Sequence, residues 1–174
     1  MNSQKIIDFL QSRRSVRKFT NEQVSEEHIQ TILRTAMLAP SAMNQQPWIF
    51  TIIDDQVLLE HMESIHKGAA MAAHAPVSIL VSGNFENTVR PSMVPQDCSA
   101  AAMNILYAAH ALGLGAVWCG IYPDEGRIIG MRRLLRVPKE FTPFGLVVIG
   151  HPEETAEQPD RWNESKIHRN RYSL

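Results

Sequence analysis

From Cys98 to Pro123 the chain carries no Asp, Glu, Lys or Arg, and so long a run without charge has to be sealed from water by protein or by lipid. Asn104, His110 and three glycines (Gly113, Gly115, Gly120) interrupt it, and no cluster of Lys or Arg flanks either end. A spanning helix would carry flanking Lys or Arg as an orientation signal. The run therefore reads as a buried helix, a glycine-rich turn and a buried strand, and no membrane partner is expected. With 174 residues, 44% of them apolar, the chain can build one good core and not two ordinary domains. Residues 1–174 are expected to form one domain. Two cysteines, Cys98 and Cys119, cannot make a disulfide framework, and the start Met1-Asn2-Ser3-Gln4-Lys5 has no apolar leader. Both point to a reducing, cytoplasmic setting.

The flanking sequence reads as alternating helices and strands. Ser3 can cap a helix carrying Ile6, Ile7 and Leu10 and ending near Arg13, and Ser25 can cap a second one carrying Ile29, Ile32, Leu33, Ala36 and Met37. The second must stop before Pro40. Trp48–Ile53 reads as a strand, Asp54–His66 as a short helix, then a small Ala-rich helix and the buried strand Val77–Val81. Residues 84–95 read as loop, 97–112 as a central helix apolar almost all round, 116–121 as a strand, 127–136 as an amphipathic helix and 144–149 as a last strand. Four strands and about five helices imply a mixed α/β (α+β) domain with a small sheet. The strands lack polar alternation, so both faces should be covered. The segment 151–174 is too polar to fold alone and needs a surface to dock on.

Charge is unevenly placed. Residues 1–18 carry Lys5, Arg13, Arg14, Arg17 and Lys18 against Asp8, and residues 161–174 carry Arg161, Lys166, Arg169 and Arg171 against Glu164. The middle is acidic, and the net charge is only -1. Two readings fit the basic ends: solvated tails, or a shared site for one small dianion such as a phosphate monoester, which Arg binds through its planar fork. A nucleic-acid partner is not expected, because aromatic interleaving and a reading helix are missing.

Several motifs fail. Gly115 and Gly120 have phosphate-loop spacing, but Ile121-Tyr122 stand where Lys-Ser/Thr belongs. Trp118 occupies the third glycine position of a dinucleotide pattern. No Gly-x-Ser-x-Gly elbow exists, the cysteines lie in apolar runs, and the histidines are too scattered to predict a metal site. An enzyme of this composition would leave the chemistry to a cofactor.

Arg13-Arg14-Ser15-Val16-Arg17-Lys18-Phe19, Ala39-Pro40-Ser41-Ala42-Met43-Asn44-Gln45-Gln46-Pro47-Trp48, Gly113-Leu114-Gly115-Ala116-Val117-Trp118-Cys119-Gly120, Phe144–Pro152 and Lys166–Tyr172 occur together and in order. In this they resemble the nitroreductase family of FMN-dependent oxidoreductases. The resemblance implies a small, mostly antiparallel mixed sheet surrounded by helices. It also implies a homodimer with two FMN molecules at the interface and an extended arm, 151–174, wrapping the partner. By the same resemblance Arg13, Arg14 and Ser15 would hold the phosphate and ribityl chain, and Arg17 would face the flavin N1/O2 edge. Pro40, Ser41 and Asn44 would contact the flavin from the other subunit. The backbone at Gly120 would lie near N5, and Arg171, with Arg169, would close over the phosphate from one side of an extended tail.

Lys67 is read either as a second cation near the pyrimidine or as a solvated helix end. Trp118 is read as a core side chain in preference to a stacking one, and His168 as a ligand or a solvated residue. Gln46 and Trp48 are read as supports. The implied chemistry is ping-pong: hydride from NADH or NADPH to flavin N5, then two electrons to a small electron-poor acceptor such as a nitroaromatic, a quinone or an activated alkene. A flavin store or sensor, or a specialised step such as reductive dehalogenation, are the alternatives. The short segment 84–95 leaves little to cover the site, which predicts an open, permissive pocket.

Overall fold

The computed structural model describes residues 2–154 and 159–172. Four strands, β1 (Trp48–Ile53), β2 (Val77–Asn84), β3 (Gly115–Gly120) and β4 (Phe141–Gly150), form a sheet of order β1-β2-β4-β3 in which every pair is antiparallel. The mixed character expected of it is confined to an isolated parallel bridge between Ser15 and Ala116. Alternate residues of β2 serve two cores. Ile79 and Val81 pack with α2 (Glu26–Met37) and α5 (Val94–Ala111), while Leu80 packs on the other face with Ile53, Met62, Met131, Leu146 and Val148. Covering both faces removes any need for polar alternation, as the sequence implied.

The helices start and stop for local reasons. α1 (Ser3–Ser12) is capped by Asn2, whose Oδ1 accepts the Gln4 amide hydrogen at 3.0 Å, and not by Ser3. Ser25 caps α2 as expected, accepting from the His28 amide at 3.2 Å, with Glu26 and Glu27 at the positive end of the helix. The single helix expected over Asp54–His66 is two, α3 (Gln56–Glu60) and α4 (Met62–Ile65), broken at His61, and a 3-10 stretch Lys67–His74 follows. α5 begins at Val94 and not Asp97, because Pro95 is tolerated in a first turn whose amides have no helical partner. The loop before it shortens accordingly. β3 lies one position earlier than expected, and β4 is longer because it keeps pairing with Ser82–Asn84 beyond a bulge at Val81/Ser82. α6 (Glu125–Leu135) is capped by Asp124, which accepts from the Arg127 amide at 3.0 Å.

The start of the C-terminal segment docks on its own chain. The Thr20 amide donates to the His151 carbonyl at 2.9 Å and the Glu153 amide to the Lys18 carbonyl at 3.1 Å, with Phe19 buried against Pro152. Farther on, Trp162 and Tyr172 are exposed. Residues 155–158 and 173–174 of the expected arm lie outside the described residues. α1 buries none of its own residues, and Ile6, Ile7 and Leu10 are each 40% or more exposed.

Candidate cofactor site

The basic segment leaves α1 as an extended run beside the first residues of β3. The Val16 amide donates to the Ala116 carbonyl at 3.0 Å, next to the Ser15–Ala116 bridge. Gly115 permits this approach: a side chain there would place its Cβ 2.7 Å from Val16 Cγ1 and 2.8 Å from Val16 Cβ. Alternation along the run sets Ser15 and Arg17 on the face opposite Arg14 and Val16.

The two leading arginines have different surroundings. Arg14 Nη1 donates to the carbonyls of Gln11 at 2.9 Å and Arg13 at 2.6 Å, satisfying acceptors left over at the end of α1. Arg13 Nε and Nη1 are buried with no hydrogen-bond partner, and its guanidinium carbon lies 5.9 Å from the centre of the Tyr107 ring. A buried guanidinium carries only donors, so such nitrogens call for an anion. A cavity of about 220 Å³ opens beside it, lined by Ser12, Arg13, Arg14, His110 and the turn Gly113–Gly115. His110 Nε2 shares a hydrogen bond of 2.8 Å with Ser12 Oγ, and its ring stacks on Phe9. Burial, and then the charge of Arg13, hold its pKa below the ordinary 6.5. Glu154, also at the cavity, is paired with Lys18 at 3.1 Å.

At the other end of β3, Gly120 is exposed and nothing lies within 4 Å of the place its Cβ would take. Its carbonyl accepts from Arg127 Nη1 at 3.0 Å, while Arg127 Nε lies 3.5 Å from Asp124. The neighbouring Cys119 thiol is pushed up by burial, an effect opposed by the charges of Arg17 and Arg127. His66 is held below its ordinary value by burial and then by Arg127. Lys67 is exposed beside Gly68, whose carbonyl accepts from Cys119 Sγ at 3.3 Å. Arg127 was not singled out in the sequence. It reads there as the start of an amphipathic helix, and only the turn between β3 and α6 brings it onto Gly120.

Pro40, Ser41 and Asn44 sit elsewhere. They follow α2 in a loop where Met43, Asn44 and Gln46 have φ of 53°, 52° and 45°. Ser41 Oγ accepts from the Gln46 amide and Asn44 Oδ1 from Gln46 Nε2, each at 3.0 Å, so Gln46 does support the loop. Within one chain the described residues show no hydrogen bond or ion pair joining Pro40, Ser41 or Asn44 to Arg13, Ser15 or Arg17. The same holds for Arg169 and Arg171. Their expected extended run is corrected: Asn170 has φ of 65° and the Arg171 amide donates to the Arg169 carbonyl at 2.8 Å, so the chain turns between them. His168 packs on Tyr172.

Trp118 is half-buried on Phe144, above Gly145, where an added Cβ would enter the indole. That is a core position. Cys98 is buried and its thiol is pushed up to about 12, chiefly by burial. Among the described residues no group of three His, Cys, Asp or Glu side chains is placed to hold a metal ion, and no helix is long and apolar enough to cross a membrane.

Comparison with known proteins gives a consistent picture. The sequence profile of the nitroreductase family matches residues 10–70 and 55–151. A Methanothermobacter thermautotrophicus protein described as "Putative NADH dehydrogenase/NAD(P)H nitroreductase" is 40% identical over 94% of this chain and 85% of its own length. A crystal structure of a protein of the same description from Bacteroides thetaiotaomicron superposes with a TM-score of 0.92 at 34% identity, covering 98% of this chain and all 100% of the other. An FMN-dependent nitroreductase from Clostridium difficile superposes with a TM-score of 0.89 at 28% identity, over 95% of this chain and 99% of the other.

Proposed function

The chain belongs to the nitroreductase family, and from that premise we propose that it is an FMN-dependent oxidoreductase working as a homodimer. The observation that carries the reading is Arg13, whose two buried guanidinium nitrogens have no partner and lie beside a cavity sized for an anionic head group. The residues present fit FMN. Arg13, Arg14 and Ser15 would hold the phosphate and ribityl chain, with Arg14 Nη1 also tied to the end of α1. Arg17 would stand at the N1/O2 edge, where a fixed cation stabilises the negative charge that reduction adds. Gly120 leaves bare backbone where a ring could lie flat.

The chemistry FMN supplies when bound is two-electron transfer, in ping-pong order at N5, between NADH or NADPH and a small electron-poor acceptor. The protein's part is orientation, the cation and a dry floor of β3 residues, and no side chain need act as acid or base. Pro40, Ser41 and Asn44 are reserved for the partner's FMN, which accords with their separation from Arg13, Ser15 and Arg17 within one chain. Lys67, Arg169 and Arg171 would add positive charge around the two ends of the cofactor. The exposed Ile6, Ile7 and Leu10 on α1, with Leu38 82% exposed, supply apolar surface for the twofold contact. Residues 1–174 act as one domain, with the segment beyond its own-chain docking at His151–Glu153 as the arm that reaches the second copy.

The test is direct. Purified protein titrated with FMN should bind one per chain, elute as a dimer, and bleach on anaerobic addition of NADH or NADPH. Reoxidation by a panel containing a nitroaromatic, a quinone, an activated alkene and a halogenated phenol then ranks the acceptors. Protein that takes up no FMN would end this reading. Protein that binds FMN but is not reduced would leave the store or sensor.

A further inference from the structure

Asp97 is a buried carboxylate, 4% exposed, with no cation beside it among the described residues. It lies in the first turn of α5, where the helix end offers positive potential. Both of its oxygens are engaged, and both on the loop after α2. Oδ1 accepts from the Ala42 amide at 2.9 Å and Oδ2 from Gln45 Nε2 at 2.7 Å. Gln45 cannot turn over, because its Oε1 accepts from the Arg90 amide at 3.0 Å and its Nε2 also faces the Arg90 carbonyl at 3.3 Å. Met43, Asn44 and Gln46 all hold positive φ, a region that non-glycine residues occupy at a cost. Hydrogen bonds within the loop, from the Gln46 amide to Ser41 Oγ and from Gln46 Nε2 to Asn44 Oδ1, offset part of that cost, and Asp97 adds a grip from α5 on both sides of Met43 and Asn44.

We propose that Asp97 is the positioning residue for the partner-facing half of the cofactor site. It sets the Ser41–Asn44 turn in the shape that contacts the FMN bound mainly by the other subunit. The inference rests on the functional reading above, and it adds a residue that touches no cofactor. Its logic is one of polarity: Ala42 and Gln45 present two donors, and only a side chain with two acceptors answers both.

Asp97→Asn keeps size and one acceptor but sets Nδ2 against Gln45 Nε2, donor against donor. FMN affinity should fall about tenfold or more, the scale of one unsatisfied buried group. The double variant Asp97→Asn with Gln45→Glu reverses the polarity of the pair: the new amide on α5 donates to the new carboxylate on the loop, whose second oxygen still accepts from the Arg90 amide, while the 3.3 Å contact with the Arg90 carbonyl is given up. It should bind FMN at least about threefold more tightly than Asp97→Asn, with the visible band of bound flavin recovered in step. A general loss of structure would not be rescued by a second change. Should Asp97→Asn fail to fold, Gln45→Met removes the same contact from the loop side and should weaken FMN alike. Parental affinity in folded Asp97→Asn or Gln45→Met, or a double variant no better than Asp97→Asn, overturns the inference while leaving FMN binding by the parent intact. A parent that binds no FMN overturns the functional reading and this inference together.

Discussion

Val16 occupies the space that a side chain on Gly115 would need. Because the collision involves Val16 Cβ at 2.8 Å as well as its methyls, no rotation of the valine relieves it. Gly115→Ala should push the basic segment off β3, lengthening the Val16–Ala116 hydrogen bond. Overpacking of this sort costs about 1–3 kcal/mol. Urea unfolding should show that loss, and FMN affinity should drop with it.

Gly120 is the opposite case, since a Cβ there meets nothing within 4 Å. Gly120→Ala should change the stability of the FMN-free protein by no more than about 0.5 kcal/mol. If the flavin ring lies on this backbone, the same methyl should weaken FMN binding and slow reduction by NAD(P)H. Unaltered binding and reduction would remove Gly120 from the site.

Arg13→Ala separates binding from stability by sign. The FMN-free protein loses two buried guanidinium nitrogens that have no hydrogen-bond partner, so its stability should hold steady or rise. FMN affinity should fall by about 10- to 150-fold, the value of a hydrogen bond to a charged group. Calorimetric titration of both proteins, beside melting curves without FMN, checks the two directions at once.

His110 gives the fold a pH dependence. Burial and Arg13 hold its native pKa below 6.5, so the unfolded chain takes up a proton more readily than the folded one. Its contribution is complete above 6.5 and is lost as pH falls from there toward the native value. His66, also lowered, acts in the same direction. The melting temperature should drop between about pH 7.5 and about pH 5, and His110→Gln should make that drop smaller.

Features carried by neighbouring residues were legible along the chain. Ser25 followed by Glu26 and Glu27 announces α2, and Pro40 its end. The uncharged stretch after Asp97 announces a helix and strand at the centre. Boundaries slipped where the deciding contact was distant: β4 runs to Phe141 because β2 continues past its bulge. The Arg13–Arg17 cluster was visible as charge, but not the difference between Arg14, whose Nη1 is bonded to the Gln11 and Arg13 carbonyls, and Arg13, whose buried Nε and Nη1 have no hydrogen-bond partner.

Composition and order along the chain thus determined the class of fold, its two-sided burial and the basic groups available to an anion, because periodicity, capping and charge are local properties. The tertiary structure alone decided that Val16 fills the space above Gly115, that Arg127 reaches the Gly120 carbonyl, and that Asp97 grips Ala42 and Gln45 across a wide gap in sequence. Those relationships follow from strand register and from the direction in which each element leaves the sheet, and no short stretch of residues encodes either.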